Sequence, residues 1–107
     1  MWWWNNESLV NRRGSVYAEA EVSFDTAGTT AILTLPPHIF RLLGNRGEIF
    51  IKVATSLAAA TVGVRISVNG ETRPLTTNLT TAATGANLPT GVTSVWYDKA
   101  ADSLQIL

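Results

Sequence analysis

At 107 residues, with eight basic and eight acidic side chains, the chain has room for one domain. It carries no net field that would draw nucleic acid, anionic lipid or an acidic partner. Charged residues make up 15%, against ~25% in ordinary domains, and Thr, Ala and Ser fill the deficit, a surface suited to lasting protein contact. Cysteine is absent, which excludes disulfides, thiolate metal sites and a cysteine nucleophile.

The chain opens with MWWWNN, three consecutive tryptophans at Trp2, Trp3 and Trp4. The run is far below the ~18 apolar residues of a bilayer-spanning helix. Its charges, Arg12 and Arg13, follow the apolar patch, unlike a secretory signal. Cytoplasmic synthesis is therefore expected, and the Asn6-Glu7-Ser8 and Asn78-Leu79-Thr80 sequons carry no information. Residues 5–14 are polar and aperiodic. We read residues 1–14 as an N-terminal aromatic arm and 15–107 as a single β-sandwich domain.

From Ser15 the sequence SVYAEAEVSF alternates, with Val16, Ala18, Ala20, Val22 and Phe24 on one face of an expected strand. Asp25–Gly28 supplies turn residues, and TTAILTL predicts the second arm of a hairpin. Pro36-Pro37 interrupts the strand pattern. With Pro37 at a first helical position and Gly44 at the far cap, a short helix is expected over residues 37–43. EIFIKVAT resumes alternation through Ile49, Ile51 and Val53. Val62, Val64, Ile66 and Val68 mark the next strand, and Asn69-Gly70 is a type I′ hairpin signal.

Pro74 in ETRPLTTN predicts an edge strand or a bulge. Residues 78–91, NLTTAATGANLPTG, read as a long loop with little core material. VTSVWYDK and SLQIL then predict two closing strands around Lys99–Asp102. About seven short strands with regular turn signals define an all-β fold, an antiparallel β-sandwich or jelly-roll-like small barrel with one short helix.

Chemistry is sparse. The single histidine, His38, has no nucleophile elbow near it in sequence and reads as a helix-start or surface residue. Glu19 with Glu21, and Asp98 with Asp102, read as solvated pairs, the latter weighed as a calcium pair. Neither an enzyme nor a metal or other cofactor is expected. Arg12 and Arg13 beside the tryptophans are too few for a nucleic-acid footprint, and no membrane partner is expected. Trp96 and Tyr97 fall on opposite faces of one strand; either is a candidate glycan-stacking residue, with Trp96 expected in the core and Tyr97 at the rim.

ISVNGETRPLTTN followed by NLPTGVTSVWYDKAADSLQIL resembles a β-rich module of structural appendage proteins of tailed bacteriophages. The matching positions, over roughly residues 64–107, are Asn69, Gly70, Pro74, Leu75, Leu88, Gly91, Trp96, Tyr97, Asp98, Leu104, Gln105, Ile106 and Leu107. The resemblance implies a virion structural protein, a capsid decoration or head-fibre-type subunit, often trimeric, that contacts capsid or another virion protein. A glycan- or receptor-binding tail appendage is the alternative. On this reading Trp2, Trp3 and Trp4, with Arg12 and Arg13, are the partner-binding residues. The tryptophans either anchor the subunit to a partner or fold back over the domain's own core.

Overall fold

The computed structural model describes residues 10–11, 15–78 and 80–107. In chain order the strands are β1 (Val10–Asn11), β2 (Ser15–Glu19), β3 (Glu21–Phe24) and β4 (Thr30–Leu35). The short helix α1 (Ile39–Leu43) follows, then β5 (Arg46–Val53), β6 (Gly63–Val68), β7 (Glu71–Thr76), β8 (Gly91–Asp98) and β9 (Ser103–Ile106). They form one sheet in the order β1-β2-β5-β8-β9-β7-β6-β4-β3, nearly closed into a barrel. The all-β expectation with one short helix holds.

Closure comes from the expected first strand. Its alternation is as read from Val16 to Val22, while Phe24 is exposed, and it bends at Ala20 into two pieces that serve opposite ends of the sheet. Before the bend β2 pairs with β5; after it β3 pairs with β4. The Ala20 N–H donates to the Lys52 carbonyl at 3.0 Å, holding the corner against β5. The barrel therefore needs no separate closing strand.

The sheet is mixed. β2–β5, β4–β6 and β7–β9 are parallel, whereas turn spacing alone reads as antiparallel. Alternation specifies which face a residue takes, not which strand lies beside it. The inward set is the expected one in β5 and β6, where Ile49, Ile51, Val53, Val64, Ile66 and Val68 are all buried; in β4 the inward residues are Ala31, Leu33 and Leu35. Val62 departs from it, lying before β6 and 65% exposed.

Asn69 and Gly70 adopt φ of 57° and 85°, the positive values a type I′ turn requires, and join β6 to β7. Pro74 is not on an edge. It is the last β7 residue paired to β6 (with Arg65), and Leu75 is the first paired to β9 (with Leu104). The proline sits where the strand changes partner, a position at which a missing N–H costs no β9 ladder bond.

The two barrel mouths are closed differently. At one, α1 follows the end of β4, with His38 exposed at its N-cap and Ile39 and Leu43 buried. At the other, Leu57 and Ala60 from the β5–β6 connection meet Ala83, Gly85 and Leu88 from the β7–β8 connection, all buried. The segment read as having little core material thus carries part of the core. A Cβ placed on Gly85 would lie 1.7 Å from the Leu57 carbonyl oxygen. Only glycine permits that approach.

Candidate functional site

The outward face of β2, β5, β8 and β9 concentrates aromatic and apolar side chains in a protein otherwise short of surface chemistry. Register arranges them in three rows. Glu48, Trp96 and Gln105 form the first; Tyr17, Phe50 and Ser94 the second; Glu19, Lys52 and Val92 the third. Leu107 extends the second row through its N–H to the Ser94 carbonyl at 3.0 Å. Tyr17 and Trp96 stay 42% and 39% exposed, Val92 and Leu107 more so, and Phe50 is half-buried between them. Tyr17 and Phe50 are direct cross-strand neighbours, and Trp96 is diagonal to Phe50, within aromatic reach at ~7–8 Å. Exposed apolar clusters of this kind mark contact surfaces more often than scattered single residues do.

Trp96 and Tyr97 do lie on opposite faces, but the expected assignment is reversed. Tyr97 is buried at 4% exposure, on the same side as Val95, while Trp96 faces out. The cause is across the strands. Tyr97 lies opposite Gly47, which leaves space for its ring, and Phe40 of α1 fills the remainder by stacking on it at 4.2 Å and 6°. Tyr97 is therefore removed from the glycan-stacking candidates, and Trp96, flanked by Glu48 and Gln105, remains.

Behind Tyr97 lies a polar latch. The Arg73 guanidinium carbon is 4.9 Å from the Phe40 ring centroid. Arg73 Nε donates to Asp102 Oδ1 at 2.6 Å, and Nη2 lies 3.4 Å from Glu71 Oε1. Nη1 is buried and meets no partner among the described residues. The Asp102 hydrogen bond raises the Arg73 pKa above its ordinary value, and burial raises that of Tyr97. These groups are engaged with one another across α1, β7, β8 and the β8–β9 turn, which makes them a fastening.

Asp98 and Asp102, weighed as a calcium pair, have different partners. Asp98 Oδ1 accepts the Ala100 N–H at 3.0 Å and its Oδ2 lies 3.5 Å from Arg46 Nε, while Asp102 holds Arg73. No cluster of three or more His, Cys, Asp or Glu suited to a metal occurs among the described residues. Shallow depressions occur among the described residues. One of about 300 Å³ lies beside Leu57, Gly85 and Leu88; another, about 420 Å³, lies between Asn45, Arg46 and Lys99. No described helix is long and apolar enough to cross a membrane.

Trp2, Trp3, Trp4, Arg12 and Arg13 lie outside the described residues. The described residues nearest to them in sequence are those of β1, whose Val10 pairs antiparallel with Val16 of β2, one residue from Tyr17. The aromatic face itself was not foreseen. Tyr17 and Phe50 fall on the outward parity of strands whose inward parity drew attention, a signal present in the alternation. Comparison of the chain with protein-family models, curated proteins and solved structures finds no match.

Proposed function

We propose that the protein is a non-enzymatic bacteriophage virion subunit, of the capsid-decoration or head-fibre kind, that self-associates and anchors through its N-terminal tryptophan arm. The observation that carries the association part is the Tyr17–Phe50–Trp96 face on a nearly closed barrel. The virion part rests on the resemblance over residues 64–107 and on the charge-poor composition. Each tryptophan can bury ~150–250 Å², so three contribute on the order of 10 kcal/mol before ordering costs at ~25 cal/mol per Å². A trimer would engage three such arms together, and multivalency offsets the ordering cost of each.

The test is deletion of residues 2–4 followed by two measurements. Circular dichroism should report an intact β fold, and co-sedimentation with purified virions should be lost. A deletion variant that binds virions as the full chain does would overturn the anchoring role.

The second reading, a glycan- or receptor-binding appendage module, is favoured by one arrangement. Trp96 presents its ring outward with the hydrogen-bonding groups of Glu48 and Gln105 directly across the neighbouring strands. Glycan-array binding that disappears in Trp96→Ala, without change in association state, would select this reading.

A further inference from the structure

We propose that the outward face formed by Tyr17, Phe50, Val92, Trp96 and Leu107 is the docking surface for the Trp2–Trp4 segment of a second copy of this chain. The inference rests on the self-association reading above and names its two halves, with the arm joining copies to one another in place of anchoring them to the virion.

Area argues for an arm as the occupant. Three rows across four strands make a footprint on the order of 300 Å². Two such faces together fall short of the ~1,200 Å² at which specific interfaces begin. Three tryptophans add ~450–750 Å² per arm, and reciprocal exchange counts that twice.

Direction argues for a second copy. The Val10↔Val16 and Asn11↔Ser15 register points the N-terminal end of β1 toward the Glu19 end of β2. Trp4 is six residues before Val10, ~20 Å of extended chain, while β2 runs on from Val16 for only ~10 Å before the Ala20 bend. An arm that keeps β1's heading overshoots its own sheet and moves away from its own Trp96 row. Its own Trp96 row lies behind that heading, so docking there would require the segment to double back, whereas a second copy can present its face ahead of it.

Two full-length variants separate the halves. One carries Trp2→Ser, Trp3→Ser and Trp4→Ser; the other carries Tyr17→Ser and Trp96→Ser. Val92→Ser with Leu107→Ser is a second face variant should the first not melt cooperatively. In sedimentation equilibrium each variant alone should associate at least ~100-fold more weakly than the unaltered chain, the scale of losing an aromatic hot spot. An equimolar mixture should associate more tightly than either variant alone, though more weakly than the unaltered chain, because one intact arm then meets one intact face while the reciprocal contact stays lost. If the arm variant associates normally while the face variant does not, contact is face to face; the inference falls and the self-association reading stands. If the unaltered chain is monomeric at every concentration, that reading falls as well. If both variants are weakened but mixing restores nothing, the arm does not dock on this face in trans, and the inference is overturned.

Discussion

The two mouths of the barrel are closed by opposite means. At the helix mouth the closure is made of side chains: Phe40 on Tyr97, Arg73 over Phe40, Asp102 on Arg73. At the loop mouth it is made of backbone. The Gly85 N–H donates to the Ala60 carbonyl at 2.8 Å and the Ala83 N–H to the Leu75 carbonyl at 2.9 Å, with Leu57 and Leu88 filling the space between. A side-chain closure can lose one member and let the others resettle. A backbone closure at contact distance has nothing left to yield. The helix mouth should therefore tolerate truncation, and the loop mouth should not tolerate a single added methyl.

The largest effect is expected at Gly85. In Gly85→Ala the new methyl meets the Leu57 carbonyl, so one loop must move and its hydrogen bonds stretch. We expect a loss on the order of 3 kcal/mol or more by urea unfolding, in the range of severe overpacking. Phe40→Ala comes next. The ring is half-buried, and its removal strips the stack from Tyr97 and the platform from Arg73. A loss of roughly 1–3 kcal/mol is expected. A Gly85→Ala protein as stable as the original would erase the contrast between the mouths.

That contrast also measures what the sequence makes legible. The helix mouth is punctuated by Pro37 and Gly44, residues whose backbone preferences are local, so the helix can be placed without knowing its neighbours. The loop mouth has no such punctuation. Ala83, Gly85 and Leu88 are buried at no strand or helix period, and small residues in a Thr/Ala-rich run look the same in a linker as in a tight crossing. The Trp96–Tyr97 reversal has a related cause. Val92 and Trp96 share one parity and Val95 and Tyr97 the other, so ring size favours Trp96 inside; Gly47 across the strand decides otherwise. Faces are written in the alternation, partners are not. The parallel pairs and the aromatic rows on β2, β5 and β8 both depend on partners.

Side-chain closure has a second consequence, sensitivity to alkali. Burial holds the Tyr97 phenol above its ordinary value of 10.0. The folded state thus prefers the neutral ring, and its contribution is intact below pH 10. It is lost as pH rises from there through the folded value, because the unfolded chain releases its proton first. The urea midpoint should fall more steeply above about pH 10 in the original protein than in Tyr97→Phe, which has no phenol to ionise. Equal alkaline slopes would separate Tyr97 from the stability of the helix mouth.

The loop mouth should respond at the other end of the scale, and by less. Asp25, in the β3–β4 turn beside that mouth, accepts the backbone N–H groups of Thr30 and Thr29 on Oδ1, both at 3.1 Å. Those bonds, Thr30 foremost, hold its carboxyl below the usual 3.8. A depressed folded value means the stabilisation is present above pH 3.8 and fades as pH falls through the lower folded value. Because the carboxylate is fully exposed to water, the effect is small, and Asp25→Asn, which keeps an acceptor oxygen without the titration, isolates it. Its unfolding midpoint should fall less steeply with acid than the original's below about pH 4. The hydrogen-exchange change should be confined to the Gly28, Thr29 and Thr30 amides, with the Phe40–Tyr97 mouth unmoved. A difference between Asp25→Asn and the original that reaches the α1 amides would mean the two mouths are coupled, and the division of the barrel into a side-chain end and a backbone end would fail.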